Sequence, residues 1–333
     1  MPKKKLFILM VLPLAFFYIS LFLGRYALDP LIVMRILLSK IIPIHPNWDA
    51  TAEAIVMQIR LPRTILAACV GAGLSISGAA YQGMFRNPLV STDILGVSSA
   101  AGFGAALAIL VSGNDLEIQL FSFLFGLAGV ALTYLIARVY KTTPVLMLVL
   151  SGIVVAAFFS ALISAVKYVA DPDNKLPAVT YWLLGSFSGS SYRKLATVIP
   201  LISLGTAGLL LVRWRLNVLS MGEEEARSLG VKAELLKGII IVSTTVITAA
   251  AVSVSGLVGW VGLVIPHVGR MIVGPDHKTL LPATLAIGAA YLILIDILAR
   301  TLTAQEIPVG ILTAVIGAPF FAYLLRRTKG GWR

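Results

Sequence analysis

Along the chain, apolar residues come in long blocks separated by short polar punctuation. The blocks lie at residues 6–24, 64–84, 94–112, 118–137, 145–166, 195–212, 238–274, 280–298 and 307–325. Most are about 20 residues long, the length a helix rising ~1.5 Å per residue needs to cross ~30 Å of hydrocarbon. Block 238–274 is too long for one span and carries Ser255-Gly256 in its middle, where a tight turn divides it into two helices. The pattern therefore predicts ten spans. In lipid only helices and closed barrels satisfy every backbone polar group, and these blocks lack the period-two alternation of a barrel strand. The expected fold is an all-α membrane protein, a polytopic bundle of about ten transmembrane helices forming one domain over residues 1–333.

Three segments interrupt the blocks. Residues 26–59 mix apolar and polar positions: Asp29-Pro30 starts a short helix and Ile42-Pro43 ends it, as in a surface layer outside the membrane. Residues 170–194, with Asp171-Pro172-Asp173, Gly185 and Gly189, read as a second outer loop. Residues 213–237 form the largest polar segment on the opposite side. Within it, Gly222-Glu223-Glu224-Glu225-Ala226-Arg227-Ser228-Leu229-Gly230 reads as a short helix, acidic at its start, basic near its end and stopped by glycine.

Composition sharpens this picture. Only 13% of the 333 residues are charged against 58% hydrophobic, and the mean hydropathy is +0.94. A soluble domain carries about a quarter charged residues. The net charge of +12 does not point to nucleic acid, because the basic residues sit in short clusters between apolar blocks, where topology and lipid headgroups use them. The larger share of the 27 basic residues falls on the segments that share a side with both termini, which predicts cytoplasmic ends. The single cysteine, Cys69, allows no internal disulfide. Met-Pro-Lys-Lys-Lys and the first apolar block could pass for a signal peptide, but no small-residue cleavage site follows, so the block is read as a retained span.

Catalytic motifs are missing. His45, His267 and His277 share no metal-ligand spacing, so no metal site and no cofactor are expected. There is no Gly-x-x-x-x-Gly-Lys-Ser/Thr loop, so ATP-driven work would need an ATPase on another subunit. The small residues Gly71, Gly73, Ser75, Ser77 and Gly78 suit close helix packing, or else a smooth wall for a large substrate. Ser75-x-Ser77-Gly78 echoes Ser253-x-Ser255-Gly256, which would fit an inverted repeat of five spans per half. Ile265-Pro266-His267-x-x-Arg270 interrupts an apolar block near the inner end of a short helix. Arg60, Arg63 and Arg300 lie at outer span ends. They are either snorkelling residues, with Asp296–Arg300 an i,i+4 pair, or a basic rim for an acidic partner. An ion-gradient transporter would need intramembrane carboxylates, and Asp296 is the clear candidate. A channel or a scaffold is the third class.

Taken together, Arg60-Leu-Pro-Arg63, Gly73-Leu-Ser-Ile-Ser-Gly78-Ala-Ala-Tyr-Gln82-Gly83, Arg86-Asn87-Pro88-Leu89, Asp93-Ile-Leu-Gly96, the 219–231 segment, Gly262-Leu-Val-Ile-Pro266-His267, Glu306-Ile-Pro-Val-Gly310 and Gly317-Ala-Pro-Phe320 resemble the FecCD permeases. These are membrane subunits of ABC importers for ferric siderophores, haem and cobalamin. The resemblance spans nearly the whole chain. It implies the type II ABC importer permease fold, a second permease subunit, two cytoplasmic ATPases and an extracytoplasmic substrate-binding protein, in a bacterial cytoplasmic membrane. It also implies that Arg60, Arg63 and Arg300 dock the binding protein, and that Gly222, Glu223, Ala226, Arg227, Leu229 and Gly230 form the ATPase-coupling helix. Asn87, Leu89, Thr142 and Thr143 would line the inner gate. A ferric siderophore is the expected cargo, with haem or cobalamin as the alternative.

Overall fold

The computed structural model describes residues 3–138 and 142–327. Lys141, Lys329, Arg333 and the two chain ends, which enter the expected charge bias, lie outside them. The described residues contain fourteen α-helices and no β-strand. These are α1 Lys3–Phe22, α2 Pro30–Ser39, α3 Ala50–Ala54, α4 Leu61–Met84, α5 Val97–Val111, α6 Asp115–Ala137 and α7 Val145–Val169. They continue with α8 Lys175–Leu184, α9 Tyr192–Leu219, α10 Glu223–Ser228, α11 Ala233–Ser255, α12 Val261–Val273, α13 His277–Thr301 and α14 Val309–Arg327.

Six helical stretches are long and apolar enough to cross a membrane: 50–84, α6, α7, α9, α11 and α13. Shorter apolar helices are found within α1 and at α5, α12 and α14, where the other four spans were expected, and at the amphipathic α2. Block 238–274 divides as its Ser-Gly pair predicts. Gly256 takes φ +67°, and a Cβ there would lie 2.2 Å from the Trp182 carbonyl oxygen, so only glycine makes this turn.

Helix starts follow capping chemistry. The Asp29 carboxylate accepts the Leu31 N–H at 2.8 Å and Pro30 occupies the first position of α2. Asn114 caps α6 through the Leu116 N–H at 2.9 Å, and Asp276 caps α13 through the Lys278 N–H at 2.9 Å.

α4 is the centre of the bundle, packed against α9, α11, α12 and α13. α4, α11 and α13 are mostly buried, whereas α6, α7 and α9 turn broad apolar faces outward. The α4–α13 and α4–α12 contacts are made backbone to backbone. A Cβ at Gly71 would lie 2.2 Å from the Gly288 carbonyl oxygen, and one at Gly78 would lie 1.8 Å from that of Gly262. Gly71, Gly73, Ser75, Ser77 and Gly78 are all buried. They serve close packing rather than a substrate wall.

Four details differ from expectation. The outer layer does not end at residue 59: α3, a π-helical turn Ile55–Arg60 and α4 run on without a break. The widened π turn lies just ahead of Pro62, whose ring would otherwise press on the carbonyl four residues back. The expected loop 170–194 contains α8, an apolar decamer whose Pro177 sits in the first turn, where its missing N–H costs nothing. α9 continues to Leu219 and takes Arg213 and Arg215 with it, since no glycine or proline intervenes before Gly222. The Ser-x-Ser-Gly echo has no structural counterpart, because Gly78 lies within α4 whereas Gly256 terminates α11.

Candidate functional site

The predicted site residues gather at opposite ends of the bundle. At the end where α4 begins and α13 finishes, Arg60, Arg63 and Arg300 come together, but not as an exposed rim. They are 4%, 5% and 6% exposed. Arg63 grips Asp296 with Nε at 2.9 Å and Nη2 at 2.8 Å, and its Nη1 reaches Glu306 Oε1 at 3.0 Å. Arg300 holds α1 through Nη2, which donates to the Ser20 carbonyl at 2.6 Å and to its hydroxyl at 2.7 Å. Its Nε stands 3.5 Å from Asp296, an ion pair without a hydrogen bond. Arg60 caps the end of α1, donating to the carbonyls of Leu21 and Phe22, both at 2.9 Å, and of Tyr26. A cation at a helix C-terminus meets both its unpaired carbonyls and its dipole. These guanidiniums lie inside the protein, with acceptors of their own, because charge at this depth must be paired. Asp296 is likewise enclosed between two arginines.

At the opposite end, α10 sits between α9 and α11. Ala226 is fully buried against the bundle, while Glu224, Glu225, Arg227, Leu229 and Gly230 face outward. The helix ends in a Schellman turn: the Val231 N–H bonds the Ala226 carbonyl at 2.9 Å and the Gly230 N–H bonds that of Arg227 at 3.0 Å. Gly230 accommodates this with φ +78°. Glu223 and Arg227 form a loose i,i+4 pair at 3.8 Å.

The Asn87 loop adjoins the same end. Its side chain accepts the Leu89 N–H at 2.9 Å, an Asx turn that leaves Asn87 and Leu89 exposed. Thr142 is exposed and Thr143 buried. Asp276, beside the end of α9, holds its carboxyl below the usual carboxylate range, because the Lys278 N–H and then the Asn217 amide donate to it. Among the described residues no group of three or more His, Cys, Asp or Glu side chains could hold a metal ion.

Three contributors escaped sequence reasoning. Gln82 donates from Nε2 to the Val90 carbonyl at 3.1 Å and, more weakly, to those of Gly262 and Leu263. Its Oε1 accepts from Arg270 at 2.5 Å. It thereby ties the Asn87 loop to α12 and accounts for Arg270. Lys237 and Glu234, which read as ordinary charges at the start of a span, are bound to Thr143 and Glu223. The one available signal was a lysine and a glutamate three residues apart next to a long apolar run.

This all-helical arrangement has known relatives. The sequence profile of the FecCD transport family matches residues 10–327. The chain belongs to that family. The molybdate import system permease protein MolB of Haemophilus influenzae is 42% identical over 313 residues, 94% of this chain and 92% of that protein. A probable iron chelatin transport system permease of Helicobacter pylori is 45% identical over 287 residues, 86% of this chain and 87% of that one. A solved metal-chelate type ABC transporter in an inward-facing conformation superposes with a TM-score of 0.87 at 41% identity, covering 97% of this chain and 99% of that one. This FecCD protein is therefore a multi-pass membrane transport permease of the ABC type with the type II fold. That assignment removes the ion-gradient, channel and scaffold readings.

Proposed function

We propose that this permease works with a second permease subunit, two ATP-binding cassette ATPases and an extracytoplasmic binding protein. In this reading it imports an iron(III) chelate, of the ferric siderophore class, across a bacterial cytoplasmic membrane, with both termini in the cytoplasm. The observation that carries this reading is α10, a short helix anchored by Ala226 and Lys237 whose other face is free to meet a partner. A rigid helix seated at the ends of two long helices can pass an ATPase's closure into the bundle. The chain itself performs no hydrolysis.

The opposite end suits an acidic binding protein, since three arginines there face only two carboxylates, Asp296 and Glu306. Their excess positive charge acts from beneath the surface, with Glu306 the partly exposed partner a docking carboxylate would replace. Asn87, Leu89 and Thr142, which are exposed, and the buried Thr143 make up the inner gate in this reading.

Iron chelate is supported by the Helicobacter pylori relative. A second reading, an oxyanion such as molybdate, is favoured by the Haemophilus influenzae relative, which matches over 94% of this chain. The test is to purify the cognate binding protein and titrate its intrinsic fluorescence with ferric chelates and with molybdate. The same ligand is then followed into proteoliposomes holding the assembled transporter and ATP. Quenching and ATP-dependent uptake of a ferric chelate are expected. Quenching by molybdate alone would overturn the iron reading, and failure of any ATPase to co-purify would overturn the assembly.

A further inference from the structure

At the α10 end one lysine joins three separate parts of the chain. Lys237 lies in the first turns of α11, and its side chain is only 1% exposed. An ammonium at that burial has to be matched by nearby oxygens, and it has three, two of them hydrogen-bonded. Its Nζ lies 3.1 Å from Glu223 Oε1 at the start of α10. It lies 2.6 Å from Glu234 Oε1 on its own helix, and 2.8 Å from the Thr143 carbonyl oxygen in the turn before α7. Glu234 holds the other side of the same turn: its Oε2 accepts the Thr143 N–H at 3.2 Å and the Thr143 hydroxyl at 2.7 Å. Every polar group of Thr143 is therefore bound by the start of α11, and the ammonium that does so also holds α10.

This arrangement is stiff for a physical reason. A lysine head is a compact charge with three donors; here it hydrogen-bonds Glu223 of α10 and the Thr143 carbonyl, with the Glu234 carboxylate of its own helix as a second ion-pair partner. If α10 shifts while α11 and the turn stay in place, Glu223 withdraws and a nearly inaccessible ammonium loses one of its two carboxylates. Removing one partner from a buried charge is far more costly than moving the pair together. Arg227 offers Glu223 no comparable alternative, standing 3.8 Å away and exposed. The low-energy response to a push on α10 is for Lys237, the start of α11 and Thr143 to follow.

We infer that Lys237 is a positioning residue that transmits displacement of α10 to the Thr143 turn, linking the ATPase-facing helix to the inner gate. The inference rests on the proposed reading of α10 as the ATPase contact, and goes beyond it by naming the connection.

The test uses the full complex with its ATPases and binding protein in proteoliposomes. A nitroxide is attached to Thr142→Cys in a Cys69→Ala background, and its spectrum is compared with and without ATP and vanadate. Two variants are read against this parent: Lys237→Met, and Glu234→Ala, which removes the acceptor of the Thr143 N–H and hydroxyl and one of the two carboxylates on Lys237 while leaving every α10 residue unchanged. The parent should show an ATP-dependent spectral change, and both variants should lose at least four-fifths of its amplitude while still hydrolysing ATP. If Lys237→Met fails to assemble, Glu234→Ala decides alone. Assembled variants that hydrolyse ATP and keep the full change overturn the inference, since a merely stabilising lysine would give that result. A parent complex that binds no ATPase overturns the proposed function, and the inference with it.

Discussion

The buried Arg63–Asp296 pair gives the sharpest test of how the bundle is held at its arginine end. The Asp296 side chain is 1% exposed and receives two guanidinium nitrogens of Arg63, at 2.8 and 2.9 Å. Arg63→Ala removes both and leaves only Arg300 Nε, 3.5 Å away. Breaking a buried pair by deleting one partner costs about 3–5 kcal/mol. The remaining arginine places this site at about 3 kcal/mol, the low end of that range. The lost Glu306 contact adds little, because that carboxylate is 33% exposed and such pairs contribute roughly 0–1 kcal/mol. At about 2–3 °C per kcal/mol for a large chain, the apparent melting temperature in detergent should fall by about 6–9 °C. Fluorescence-detected size exclusion after heating reads this directly. The apolar double variant Arg63→Met with Asp296→Leu removes both charges and keeps the Ser20 anchor of Arg300. It should melt above the Arg63→Ala protein but below the parent, because well-packed apolar replacements of a buried pair are often neutral while Arg300 loses its carboxylate partner. An Arg63→Ala protein as stable as the parent, or a double variant as weak as the single one, would refute the account.

Two further outcomes follow from close contacts. Gly78→Leu should abolish accumulation of folded protein, because even a Cβ would meet the Gly262 carbonyl oxygen at 1.8 Å and backbone on both sides cannot yield. Normal expression and a parent-like elution profile would contradict the packing. Gln82→Leu strips Arg270 of its Oε1 acceptor and three carbonyls of their shared donor. Hydrogen bonds to charged groups contribute about 1.5–3 kcal/mol, so a melting-temperature loss of about 3–9 °C is expected, and no loss would show that the bridge is idle.

The apolar blocks were enough to determine the membrane class, the helical fold and most helix positions. Their length and continuity are set by bilayer thickness and by the need of every backbone N–H and C=O for a partner. The division at Gly256 was equally local, since a positive φ needs glycine. The short helix α10 was legible too, because acid at its start, base near its end and a terminal glycine are properties of a single short segment. What sequence left open was what each charge is paired with. Arg63 and Asp296 are 233 residues apart, and Thr143 and Lys237 are 94 apart. An arginine at a span end looks the same whether it snorkels, docks a partner or closes on a buried carboxylate. Only the packing of α4 against α13, and of α11 against the turn before α7, decided which of these it does. Burial then made the pairing obligatory, because desolvated charge without a partner is too costly to keep.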